Sequence, residues 1–207
     1  RYLAMAVATL LPGLYLAVIR FHTQILPANL ILSFAQAREG VPFSSVVELV
    51  FLELSFELIR EAGVRIPGAL GNAIGIVGGL IIGQAAVEAN LVSPIVVIVI
   101  SFTALCSFAI PNEEFATAFR ILKFFFIAVC AWLGYFGMLL GLLAVLTHLS
   151  HLTSFGIPYL MPFVGADLNH YEDERDFIWR QPFRKLRKRP IYANPKERTK
   201  LTFSKKR

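Results

Sequence analysis

Apolar positions in this chain fall into long unbroken runs rather than into the spaced stripes of a soluble helix. Residues 66–87, 89–112 and 124–147 carry no charged side chain, and residues 2–19 form a fourth run interrupted by Pro12-Gly13. A hydrocarbon core about 30 Å thick is crossed by roughly 20 apolar residues in a helix, so three of these runs are long enough to span and the fourth is slightly short. One such run fits the buried helix of a soluble protein; four in 207 residues do not. The pattern predicts an all-α integral membrane protein with about four transmembrane helices, one or two shorter interfacial or re-entrant helices, and a soluble tail.

The segments between the runs define the rest. Residues 21–34 are apolar but too short to span, hold His22 and Pro27, and read as an interfacial or re-entrant helix. Residues 36–43 combine charge, Gly and Pro and read as a turn. From Ser44 to Glu61 the pattern is helical but mixed, with Glu48, Glu53, Glu57 and Glu61 set among bulky apolar residues. Such a helix cannot simply face lipid, because a carboxylate at mid-bilayer costs several kcal/mol. It belongs at the interface, or inside the bundle against water or arginine. Residues 62–67 break it, and Pro111-Asn112-Glu113-Glu114 forms a polar hairpin ahead of the last run, which starts after Arg120 and Lys123. The Gly- and Pro-rich segment 154–162 reads as an ordered loop at the membrane edge.

Composition sharpens this division. The chain is 56% apolar and 16% charged, against roughly 25% charged in soluble domains. Residues 1–166 carry seven Lys/Arg and eight Asp/Glu, whereas residues 167–207 carry thirteen and six, so the net +6 belongs to the tail. We therefore divide the chain into a membrane module (1–166) and a basic tail (167–207). The block Arg184, Lys185, Arg187, Lys188 and Arg189 favours the cytoplasmic side and is suited to anionic lipid headgroups. With no folded module around it, it is not read as a nucleic-acid site. Four spans would place the amino end in the cytoplasm as well. Arg1-Tyr2 opens directly into an apolar run without a signal-peptide pattern, as expected of a cut inside a longer protein.

Two features stand out as functional candidates. The first is the charged set Glu53, Glu57, Arg60, Glu61 and Arg65, whose carboxylates share one helical face with arginines three or four residues away; charges in or near a bilayer mark an ion path or a switch, or else simply lock one helix to its neighbours. The second is the helix at 66–87. Gly71, Gly75, Gly79 and Gly83 recur every fourth residue, a spacing that lets two membrane helices approach closely. Gln84 and Glu88 lie roughly opposite the middle of that stripe, so one side can pack while the other lines a lumen, or Glu88, Asn90 and Ser93 form only a wet turn. Cys106 and Cys130 lie within apolar runs and suggest no disulfide or metal framework. His148 and His151 are read as interfacial, with no metal site. No cofactor is expected, and the absence of GxSxG, P-loop and HExxH motifs leaves no enzyme reading.

The pieces Leu11-Pro12-Gly13-Leu14-Tyr15, Leu26-Pro27, Ala37 to Phe43, Glu57 to Pro67, Gly75 to Ala89 and Ser154 to Pro162 occur in an order that resembles the GerA-type spore germinant receptor A subunits, a family that also includes a SpoVA-group sporulation membrane protein. The stretches Arg60 to Pro67 and Gly78 to Glu88 are the most specific, since hydrophobicity alone does not dictate them. The resemblance implies a subunit that works with a transporter-like B subunit and a lipoprotein C subunit in the spore inner membrane. It implies oligomers of A subunits forming an ion channel opened by a nutrient, and a soluble cytoplasmic region preceding the membrane part. The tail segment Asn169-His170-Tyr171-Glu172-Asp173 matches no motif of that family. Two other classes remain: a secondary transporter using a helix broken at Pro12-Gly13, for which the chain shows no matching broken pair, and a structural scaffold or auxiliary protein assisting ion release.

Overall fold

The computed structural model describes residues 1–64, 70–110, 112–155 and 157–160. The described residues are mostly helical: α1 (Tyr2–Phe21), a 3-10 turn (Thr23–Ile25), α2 (Ala28–Ala37), α3 (Ser45–Val64), α4 (Leu70–Glu88), α5 (Pro94–Phe108) and α6 (Glu113–His151), followed by the short strands β1 (Thr153–Ser154) and β2 (Ile157–Pro158). Two compact units result, Arg1–Leu142 and Leu143–Arg207. In the second, β1 and β2 pair antiparallel around Phe155 at φ 52°, in the region read as a membrane-edge loop. The basic block at 184–189, the rest of the tail and Arg65 lie outside the described residues.

Local sequence explains most boundaries. The Asn112 side-chain oxygen accepts the backbone N–H groups of Glu114 and Phe115 at 2.9 and 3.3 Å, capping the start of α6. Asn90 adopts φ 53° just past α4, and the N–H of Leu91 returns to the carbonyl of Ala86 at 2.9 Å, a left-handed helix ending that Asn tolerates. Ser93 and Pro94 then open α5 with proline in its first turn. Proline inside α1 does not break it: the helix runs continuously through Pro12-Gly13, both buried. A Cβ on Gly13 would stand 3.1 Å from Cys130 Sγ and 3.2 Å from the Phe126 carbonyl oxygen of α6. Gly13→Val is therefore expected to wedge α1 off α6 and cost about 1–3 kcal/mol, read as a lower melting temperature of the full-length protein in detergent.

The core of the first unit gathers Leu16 of α1, Leu49 and Leu52 of α3, Val96 and Ile100 of α5, and Ile127 of α6. Outside it the surface is apolar rather than polar. Trp132 is 85% exposed, Leu58 72% and Ile121 70%, a distribution that a water-soluble monomer does not sustain over contiguous helices. Among the described residues, two helices are long and apolar enough to cross a membrane, Tyr2–Phe21 and Glu114–His151. Run 89–112 yields only the fifteen residues of α5, about 22 Å of helix and short of a full span.

The last run departs further from expectation. Gly134 has φ 63° and ψ −139°, and there the chain reverses. A Cβ on Gly137 would fall 2.5 Å from the Val129 carbonyl oxygen, and one on Gly141 would fall 3.0 Å from the Phe126 ring. Along a straight helix those pairs would be separated by about 12 and 22 Å. Residues 124–147 are thus not one span but a tight helical hairpin, with arms 113–133 and 135–151. The reversal leaves carbonyls at the end of the first arm without helical partners. Arg20 supplies one donor, its Nη1 lying 3.0 Å from the Ala131 oxygen, where a cation also complements the helix dipole. Hydropathy could not show this bend, because both arms are equally apolar.

Candidate functional site: a charged seam inside an apolar bundle

Glu53 and Glu57 lie one turn apart on α3, and Arg120 and Lys123 lie one turn apart on the first arm of α6. Both spacings place each pair on a single helical face, and the two faces meet. Lys123 Nζ lies 2.5 Å from Glu53 Oε2, with only 8% and 2% of the two side chains exposed. Arg120 Nη1 lies 2.5 Å from Glu57 Oε1, a pair with 17% and 26% exposure. Arg60 reaches the other Glu57 oxygen only at 3.9 Å. Its stronger contact goes to α5: Arg60 Nη2 donates to Ser107 Oγ at 2.6 Å, and the guanidinium stands 5.2 Å from the centre of the Phe108 ring. Arg120 Nη2 also donates to Thr117 Oγ1 at 2.8 Å. The seam is incomplete, since Glu53 Oε1 and Arg120 Nε are buried with no hydrogen-bond partner among the described residues.

A second buried carboxylate anchors the turn between α4 and α5. Glu48, 1% exposed, accepts Arg38 Nη2 at 3.1 Å through Oε1 and the backbone N–H of Ser93 at 2.9 Å through Oε2. An anion at the start of α5 meets the positive end of its dipole. Glu48 thereby ties the turn before α3 to the head of α5. An apolar groove of ≈ 660 Å³ runs between α3 and α6, lined by residues that include Val46, Val50, Phe124, Ile127 and Trp132.

The structure distributes the sequence candidates unevenly. Glu53, Glu57 and Arg60 meet in the seam; Glu61 is exposed near the end of α3. The glycine stripe of α4 packs within the chain: a Cβ on Gly79 would stand 2.5 Å from the Phe56 ring, one on Gly83 would stand 3.1 Å from Val97, and Gly75 faces open space. Gly71 lies in the first turn of α4. Gln84 and Glu88 are exposed on the same helix. Arg120, Lys123 and Glu48 had not been singled out by sequence reasoning. The available signal was the matching one-turn spacing of two acids and two bases far apart in the chain. Among the described residues, no cluster of three or more His, Cys, Asp or Glu side chains is placed to hold a metal ion.

The family model described as Bacillus/Clostridium GerA spore germination protein matches residues 1–192. The chain belongs to this family. Spore germination protein GerLA of Bacillus cereus is 43% identical over 96% of this chain, and Spore germination protein KA of Bacillus subtilis (strain 168) is 38% identical over 97%. The Uncharacterized membrane protein YfkQ of Bacillus subtilis (strain 168) is 42% identical over 92%. The chain spans 40%, 36% and 36% of the length of these three relatives. No solved structure matches it. The GerA-family match covers all residues of the seam, so seam and family assignment describe the same membrane protein.

Proposed function

We propose that this chain is the membrane module of a germinant receptor A subunit, which triggers spore germination by admitting ions through an oligomeric channel when a nutrient binds the receptor. The single observation that carries this reading is the buried α3–α6 seam: charges are costly in a hydrocarbon setting and are kept there where they serve a path or a switch. The names of the relatives, which are spore germination proteins of Bacillus species, supply the physiological context. In this reading the module crosses the spore inner membrane, and the basic tail, including Arg184, Lys185, Arg187, Lys188 and Arg189, lies on anionic lipid at the cytoplasmic face. A transporter-like B subunit and a lipoprotein C subunit complete the receptor. Copies of the A subunit surround a lumen toward which Gln84 and Glu88 point. The transporter alternative draws on a helix broken at Pro12-Gly13, and α1 is continuous there.

The test is ion flux from salt-loaded liposomes holding the full-length chain with its B and C partners, measured with and without candidate amino acids and sugars. Efflux that begins on nutrient addition, and only with all subunits present, is the expected result. Absence of conductance and of nutrient response in every subunit combination would refute the channel reading.

A further inference from the structure

The depth of the seam follows from the packing of α1. Arg20 bonds the Ala131 carbonyl, Phe21 packs on Gly134, and Gly13 meets Cys130 and Phe126, so α1 and the first arm of α6 run parallel and in register. Arg20 closes the apolar stretch of α1, as a charged residue does at a membrane boundary. At about 1.5 Å per residue, Lys123 and Arg120 lie roughly 12 and 16 Å along the axis from Ala131. In a hydrocarbon layer about 30 Å thick, both cations therefore sit near mid-depth. Hydropathy alone had left them at the edge of a span; the reversal at Gly134 draws them inward, because the first arm must now cross by itself.

Beside the seam, α3 and α6 leave a gap in their packing. α4 is held to α3 by close contacts of Gly78 on Ile59 and Gly79 on Phe56, while α1 is held to α6 at Gly13. Between α3 and α6 the ion pairs lie beside the apolar groove that Val46 and Val50 share with Phe124 and Ile127. Both partners of the seam retain an unmet hydrogen-bonding group, Glu53 Oε1 and Arg120 Nε. The closed seam thus leaves two buried polar atoms without a partner among the described residues, and opening to water would satisfy them. A groove beside a charged contact, with unmet polar atoms on the α3 and α6 sides of the seam, supplies the elements of a two-state device.

We propose that Glu53–Lys123 and Glu57–Arg120 form an intramembrane latch between the α3–α4 pair and α6, closed in this structure and parted on activation so that both carboxylates face the ion path. The proposal rests on the receptor-channel reading and adds to it the groups that hold the resting state. Arg120 and Lys123 act as positioning residues, keeping the carboxylates paired until the receptor is engaged.

The same liposome assay tests it, with the complete receptor and efflux recorded against nutrient concentration. Glu57→Gln and Arg120→Gln each break the partly exposed pair, which the fold tolerates better than loss of the fully buried one. Each is expected to lower the nutrient concentration for half-maximal efflux about tenfold, within the usual range of coupling between two sites, and to raise efflux without nutrient. The exchange Glu57→Arg with Arg120→Glu is expected to return both toward wild type. An unaltered threshold in both single variants, beside normal wild-type efflux, overturns the latch and leaves the channel reading standing. Failure of both singles to assemble, cured by the exchange, overturns it too by showing a purely structural seam. Silence of the wild-type receptor instead refutes the channel reading itself, and the latch falls with it.

Discussion

Lys123→Met is expected to destabilise the protein by about 3–5 kcal/mol, because it strands the Glu53 carboxylate in a buried site without its counter-charge. The partner is 1% exposed, and its Oε1 has no hydrogen-bond partner among the described residues, so loss of the ammonium leaves the carboxylate poorly compensated. Methionine keeps most of the length and apolar contact of the lysine stem, which confines the loss to the charge. The double variant Glu53→Leu with Lys123→Met should recover most of it, since replacing a buried ion pair by apolar side chains is often neutral or stabilising. Melting temperature of the full-length protein in detergent, together with the amount inserted in membranes, measures both. A single variant within about 1 kcal/mol of wild type would place the pair among solvent-screened ones and contradict the burial seen here.

The contrast between the two glutamate partners shows what the sequence reveals and what it hides. Spacing along one helix is legible, so Glu53, Glu57 and Arg60 could be placed on related faces from the chain alone. Partnership across helices is not: Glu57 binds Arg120 at 2.5 Å and its own-helix neighbour Arg60 at 3.9 Å, the reverse of what the local rule suggests. Helix ends are legible where Pro, Gly or Asn forces them, as at Asn90, Ser93-Pro94 and Asn112. The fold of the last run is not, because lipid-facing and hairpin-forming helices share one composition. The glycine stripe lies between these cases. Its spacing announces close approach, yet nothing in the sequence says that Gly79 would receive Phe56 and Gly83 would receive Val97, both from the same chain.

Position 134 is where the largest backbone effect is expected. Its φ of 63° combined with ψ of −139° lies in a region that non-glycine residues enter only at about 1–3 kcal/mol. A Cβ there would also come within 2.8 Å of the Phe21 ring. Phe21 follows the residue that caps the first arm, so it cannot retreat without drawing Arg20 away from the Ala131 carbonyl. Gly134→Ala should therefore cost about 3 kcal/mol or more, adding the strain to the disturbed packing, and Gly134→Val more again. Under the latch proposal, loss of the hairpin would also let Lys123 and Arg120 move toward the membrane edge, coupling this glycine to the seam. The geometry itself is open to a direct measurement in the otherwise native chain. Cysteines placed by Phe126→Cys and Gly141→Cys should be joined by a short bifunctional thiol reagent, because the Phe126 ring lies 3.0 Å from where a Cβ at position 141 would sit. In a continuous helix the same positions stand about 22 Å apart, beyond the reach of such a reagent. Failure to cross-link in protein that is otherwise folded would mean that the last run crosses as one helix and that the two bases lie at the membrane edge after all.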